Sequence, residues 1–404
     1  MHLLVLCHGM WGNVHHFDYI LEQLVSKGAS SHDGGPVPEE LHQNSLVVYR
    51  TSSNEGYFTY DGVDVCGLRV TDEINAEIEV LERAGFKVTE ISLVGYSMGG
   101  IMMRYAAGIL ETQGLFDRIT PVHFTTLCSP HLGVRVLNPG FGASAFNVVG
   151  SYSMARTSLQ VFLTDSHHNW GVPLFLHMTT PGTPYVKALQ RFKTRTLYAN
   201  IVNDRRCEFY TSAATTVDPF RGRQDFVKGE YIPGYAPTLI RSDASPAFEP
   251  SAPPPKANLF SQLLRSIGLM FRITITIPLW FIAFLVNAGY QALASSLRTT
   301  KIIESGRLLQ IEESASSQIE DLLEQEAGRL VEEMYDVVGQ GKMRLSSELK
   351  LIAKQFNQLD WNKIYVHITA DKNAHAAAIV RADNPSFYEG KAVVRHWLEE
   401  ILRL

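Results

Sequence analysis

The sequence predicts an α/β fold, a mostly parallel sheet with helices on both faces. Three observations predict it. Short apolar runs rich in β-branched residues alternate with stretches of helical period through residues 2 to 202. One of these runs, within residues 88 to 112 (KVTEISLVGYSMGGIMMRYAAGILE), passes through a small-residue turn straight into a helical pattern. Far downstream, KIYVHIT (363 to 369) restores a strand before a terminal helical stretch. The chain has 404 residues, 45% of them hydrophobic and 19% charged, enough for a sizeable core in one or two domains and too apolar for a disordered chain. A formal net charge of -5 argues against a nucleic-acid binder.

Taken in order, His2 to Cys7 read as a buried strand without the basic region or cleavage site of a signal peptide, so a protein that is not secreted is expected. His8-Gly9-Met10-Trp11-Gly12-Asn13 follows as a tight turn, then an amphipathic helix from Val14 to Lys27 and the strand LVVYR at 46 to 50. Tyr60-Asp61-Gly62-Val63 is a turn signal. Residues 68 to 85 carry apolar side chains at helical spacing and end on Gly85. The strand within 88 to 96 meets Gly95-Tyr96-Ser97-Met98-Gly99, a Gly-x-Ser-x-Gly pattern. A serine raised on a sharp strand-to-helix turn needs neighbours without a Cβ, and the helix N-terminus beyond it aims N–H groups at whatever the serine attacks.

TPVHFTTL (120 to 127) is the next strand and runs into Cys128-Ser129-Pro130-His131-Leu132-Gly133. Residues 138 to 184 are glycine-rich and aromatic without a clear period, which suits a cap or a substrate-facing loop. A helix from Pro184 to Phe192 and a strand ending at Val202 lead to Asn203-Asp204. The four cysteines, Cys7, Cys66, Cys128 and Cys207, lack metal-ligand spacing and read as buried thiols of a reducing compartment, with no zinc site or disulfide expected. Proline, serine and glycine then dominate, and the chain divides into a core at 1–215, a loop or linker at 216–258, an apolar insertion at 259–300, a charged amphipathic helical segment at 301–358 and a return to the core at 359–404.

A serine hydroxyl is a weak nucleophile that needs an imidazole to take its proton and a carboxylate to fix the imidazole tautomer. The order Ser97, Asp204, His375 is that of an α/β-hydrolase, with all three expected at the carboxyl ends of strands. The backbone N–H groups of Met10 and Met98 are the expected oxyanion donors, and His8 a shaping residue. His131 and His396 compete with His375 for the base, and Asp371 competes with Asp204 for the acid.

HGMWGN, GYSMGG, SPHLG, NDRRCEFYTSA and NAHAAAIVR together resemble the serine esterase family DUF676, a lipase-like branch of the α/β-hydrolases that includes fungal lipid-droplet phospholipases. The likeness covers residues 2 to 215 and 360 to 382. Its nucleophile, acid and histidine fall on Ser97, Asp204 and His375; its DGI-like turn appears as Asp61-Gly62-Val63, and its ThrProHisLeuGly stretch begins here with Ser129. The resemblance implies hydrolysis of carboxyl esters of acylglycerols or glycerophospholipids, without metal or organic cofactor. An acyltransferase or thioesterase on the same scaffold, or a lipid-surface scaffold without activity, are the other readings.

From Ile273 to Leu297 there is no charge, and every charged residue from Lys256 to Lys301 is basic, a combination suited to a membrane or a lipid droplet with anionic headgroups. The stretch is long enough to span a bilayer. A single crossing would separate His375 from Ser97, so the insertion is expected either to return as a hairpin or to lie in the interface, on the cytosolic side of a droplet or endomembrane. A buried pair of core helices is the competing reading.

Overall fold

The computed structural model describes residues 1–35, 37, 41–43, 45–137, 141–165, 172–220, 227–228, 230–243, 247–248, 277–308 and 345–404. Its strands are β1 His2–Cys7, β2 Ser30–Ser31, β3 Leu46–Arg50, β4 Glu90–Tyr96, β5 Thr120–Leu127, β6 Thr194–Asn200, β7 Val227–Lys228, β8 Leu239–Arg241, β9 Ala247–Phe248 and β10 Asn362–Val366. Eight of them form one sheet in the order β2-β3-β1-β4-β5-β6-β10-β8, and β7 pairs with β9 apart from it. Every pairing in the large sheet is parallel except β10 with β8. The carboxyl ends of β1, β4, β5, β6 and β10 therefore share one edge. This is the α/β-hydrolase fold.

β1 lies between β3 and β4, and its side chains divide by strand period: Leu3, Val5 and Cys7 enter one core, Leu4 and Leu6 the other. The first core is closed by α2 (Val63–Arg83) and α3 (Met98–Thr112), the second by α1 (Asp18–Ser26) and the helix Gly390–His396. A strand buried on both faces is why His2 to Cys7 reads as a continuous apolar run. All four cysteines are buried and free.

Some boundaries differ from the sequence reading. The expected helix 14 to 27 breaks at Phe17 into a 3-10 turn, Val14–Phe17, and α1. α2 starts at Val63, five residues before the expected Leu68, because orphan N–H groups at its start find distant acceptors: Gly62 donates to Thr157 Oγ1 and Val63 to Gln160 Oε1. Nothing local in the sequence announces those partners. Residues 138 to 184 hold short helices, Phe141–Gly150, Ala155–Val161 and Leu174–His177, too brief to show a period. The stretch assigned as linker contributes β8, which closes the sheet against β10, so part of it belongs to the core. β10 ends at Val366 instead of Thr369, and the expected loop 370 to 376 runs into a helical turn, Ala374–Ala377. The terminal helix changes to a wider π turn at Trp397–Leu402.

Of the apolar insertion, residues 259 to 276 lie outside the described residues, as do 309 to 344 of the charged segment. The described remainder is a helix, Ile277–Glu304, and a second one, Ser347–Phe356. Among the described residues no helix is long and apolar enough to cross a membrane.

Candidate active site

Ser97 sits between β4 and α3 with φ 56° and ψ −130°, a conformation most side chains avoid. The turn is tight enough to explain both flanking glycines. A Cβ on Gly95 would lie 2.3 Å from the backbone of Gly100, and one on Gly99 would lie 2.2 Å from the carbonyl oxygen of Cys7. Only bare backbone lets β4 and α3 pass each other and lets α3 approach the end of β1.

His375, 5% exposed, reaches Ser97 from the helical turn after β10, its Nε2 lying 2.9 Å from Ser97 Oγ. Its Nδ1 is 2.9 Å from Asp204 Oδ2. An ionised carboxylate only accepts, so Nδ1 carries the proton and Nε2 presents its lone pair to the serine hydroxyl. Asp204 is in turn held by Asn200 Nδ2 at 2.9 Å and by the N–H groups of Arg206 and Cys207 at 3.0 and 2.8 Å. Burial pushes the Asp204 carboxyl up, but His375, Asn200 and the Cys207 N–H outweigh it and hold it below the usual carboxylate value. The three side chains singled out from the sequence thus meet above one sheet edge.

The rivals lie elsewhere. His131 bonds Thr126 Oγ1 through Nε2 and packs on Phe356, and burial pushes its pKa well down. His396 bonds the Tyr198 hydroxyl. Asp371 takes the Asn373 N–H and the Ser386 hydroxyl, capping the loop it belongs to. His8 is turned onto the carbonyl of its neighbour Gly9 at 3.0 Å. Gly9 packs directly against Ser97: a Cβ there would stand 2.5 Å from Ser97 Cβ. Met10 follows it and Met98 opens α3, and among the described residues neither backbone N–H meets an acceptor.

Two supporting residues escaped the sequence reading. Tyr96 donates its hydroxyl to the His375 carbonyl oxygen at 3.0 Å and lays its ring 5.0 Å from the imidazole. Its place inside the Gly-x-Ser-x-Gly pattern was a usable signal. Asn200, at the end of β6 and four residues before Asp204, had none. The ligand atoms of Cys128, Asp204 and His375 lie within 4.8 Å of one another, a spacing that could hold a metal ion. The donor set fits poorly: burial pushes the Cys128 thiol well up, Asn200 donates to its sulfur, and both imidazole nitrogens are engaged.

The family model described as "Putative serine esterase (DUF676)" matches residues 1–215. The chain belongs to this family. The serine-esterase match covers the elbow, the turn before Met10 and Asp204, while His375 lies beyond it. Among curated relatives, "Putative lipase C4A8.10" of Schizosaccharomyces pombe is 31% identical over 255 residues, 60% of this chain and 30% of that protein. "Putative lipase ROG1" of Saccharomyces cerevisiae is 29% identical over 220 residues, 54% of this chain and 29% of that protein. The matched region thus spans less than a third of the length of these relatives. Among solved structures, phospholipase PlaB from Legionella pneumophila shares 13% identity over 52% of this chain and 43% of its own, with a TM-score of 0.32. The product of gene lin2722 of Listeria innocua shares 14% over 49% of this chain and 70% of its own, with a TM-score of 0.28.

Proposed function

We propose that the chain is a serine hydrolase cleaving carboxyl esters of glycerolipids, phospholipids or acylglycerols, at the surface of a lipid droplet or of a membrane facing the cytosol. The observation that carries it is the continuous relay from Ser97 Oγ to His375 Nε2 and from Nδ1 to Asp204, 2.9 Å at each step. In the reaction Ser97 Oγ attacks the ester carbonyl while His375 Nε2 takes its proton. The N–H groups of Met10 and Met98 receive the oxyanion, and the positive end of α3 adds to their effect. Collapse releases the alcohol, protonated by His375, and leaves an acyl-serine. Water, deprotonated by the same imidazole, then attacks the acyl-serine and frees the fatty acid and Ser97. Asp204 holds the imidazole tautomer and stabilises the imidazolium formed in each half.

The lipid class draws support from the family and from the apolar insertion. If the insertion is the anchor, deleting residues 259 to 297 should release the protein from membranes. The test of the chemistry is the purified protein beside its Ser97→Ala variant, offered mono-, di- and triacylglycerols and phospholipids. Ester cleavage and labelling by a fluorophosphonate should both vanish in Ser97→Ala while the melting curve stays in place. Labelling that persists would mean another nucleophile.

A further inference from the structure

The helix Ile277–Glu304 is turned inside out. Leu279, Ile282, Val286, Tyr290, Leu293 and Leu297 recur at steps of three and four, so they form one stripe, and each is 60 to 71% exposed. The opposite stripe, Ala288, Gln291, Ser295 and Thr299, is small and polar, and it is the buried one. Water-soluble helices bury the other face. Ile302 and Ile303 at its far end pack against the core, and polar contacts hold the rest of the helix to the body. Ser295 Oγ lies 3.5 Å from the Tyr60 carbonyl oxygen, and Arg298 makes a two-pronged ion pair with fully buried Asp61, with Nη2 at 2.7 Å. Arg307 pairs with Asp72 at 2.7 Å further along.

The turn that receives the helix also reaches the nucleophile's neighbourhood. Tyr60 accepts from Trp11 Nε1 at 2.9 Å, Thr59 Oγ1 accepts from the Trp11 N–H, and the Gly56 N–H donates to Gly12. Trp11, Tyr57 and Phe58 are each about half exposed, so an apolar rim leads from the helix to the Gly9-Met10 turn beside Ser97.

We propose that this face is where the protein meets a phospholipid surface, the helix lying flat on it with the aliphatic stripe inserted and the Met10 turn brought down to the same plane. The proposal rests on the lipid-ester reading above and adds the face, the residues and the orientation. The occupant is argued from chemistry. The stripe is aliphatic apart from one tyrosine, offers no charged partner before Arg298, and ends at the exposed cation Lys301, the arrangement expected of an interfacial helix meeting anionic headgroups. The stripe from Leu279 to Leu297 carries no arginine, and its single aromatic, Tyr290, stands among aliphatic neighbours, whereas the hot spots of a protein contact are enriched in clustered aromatic and arginine residues.

The test uses the full chain and vesicles of phosphatidylcholine with a minority of phosphatidylserine. In Val286→Asp/Leu293→Asp both changed side chains are exposed, so the fold should stand. The fraction floating with vesicles is expected to fall at least tenfold, with hydrolysis of p-nitrophenyl butyrate in free solution unchanged. A Leu293→Cys form labelled with an environment-sensitive dye, selective because the native cysteines are buried, should brighten and shift to the blue on vesicles. Undiminished flotation of the double variant, or a dye that stays in water, overturns the proposal. So does a wild-type dimer that the double variant dissolves while vesicle binding persists, since the face would then belong to a second copy. Failure of the esterase reading shows up separately, as absence of butyrate hydrolysis in the wild type.

Discussion

At the residue scale, the geometry of Ser97, His375 and Asp204 depends on side chains outside that relay. Asn200 donates to Asp204 and to the Cys128 sulfur, so its removal leaves the buried carboxylate one donor short. Asn200→Ala should lower kcat about tenfold, equivalent to about 1.4 kcal/mol, with little change in KM. Asp204 is held below its unfolded value, so its contribution to stability is present above that value and is lost as pH falls through the depressed one. Losing Asn200 moves the folded value upward, and acid unfolding of the variant is expected to begin at a higher pH than in the wild type. Circular dichroism during acid titration measures this.

Arg104 is the other residue the fold treats unusually. It is fully buried on α3, and among the described residues none of its three side-chain nitrogens meets an acceptor. The aromatic faces of Phe175 and Phe356, 5.8 Å from the guanidinium, supply its nearest electrostatic support. Burial pulls its pKa down to about 9. The folded state therefore disfavours the charged form, at a cost borne in full below about pH 9 and relieved as pH rises beyond it. Arg104→Met keeps the volume and removes the charge. It should stabilise the protein at neutral pH by about 1–4 kcal/mol, the gain shrinking in alkaline buffer, as chemical denaturation at both pH values would report.

At the scale of elements, legibility followed the range of the forces involved. β1, β3, β5 and α3 were readable to within a residue or two, because burial on both faces of a strand or a local glycine turn writes itself into consecutive residues. The start of α2 was not, since its first donors are satisfied by Thr157 and Gln160, nearly a hundred residues away. β8 is a three-residue edge strand with too few positions for a pattern. The inward face of the helix Ile277–Glu304 was hidden for a different reason: the stretch up to Leu297 carries no charge to show which side meets protein, and the contacts of Ser295 with Tyr60 and of Arg298 with Asp61 reveal it. The elbow is the most demanding of these elements. Gly99→Ala would drive a methyl into the Cys7 carbonyl, backbone against backbone, with no flexible side chain to yield. The expected outcome is a loss of about 1–3 kcal/mol in the thermal melt together with loss of fluorophosphonate labelling, because any relaxation moves Ser97 or the Gly9 turn.

At the scale of the whole molecule, the sheet is built by two segments widely separated in sequence. β6 ends at Asn200 and its parallel partner β10 begins at Asn362, yet β10 covers the edge of β6 and delivers His375 to Ser97. The order of serine, acid and histidine made this convergence legible from the sequence, whereas the route from Asp204 to β10 did not show, since the sequence between them has no strand period to follow. The family match stops at residue 215, which suggests a self-contained unit ending there. The topology argues otherwise. A chain ending at 215 would expose the whole edge of β6, leave Asp204 buried without its imidazole and leave the Tyr96 hydroxyl without the His375 carbonyl. Such a fragment is expected to aggregate through the open edge and to resist fluorophosphonate labelling, read by size-exclusion chromatography and gel fluorescence. Adding residues 345–404 in trans supplies β10 and His375 together, so recovered labelling in the mixture would show that the final strand is the piece that completes the catalytic unit.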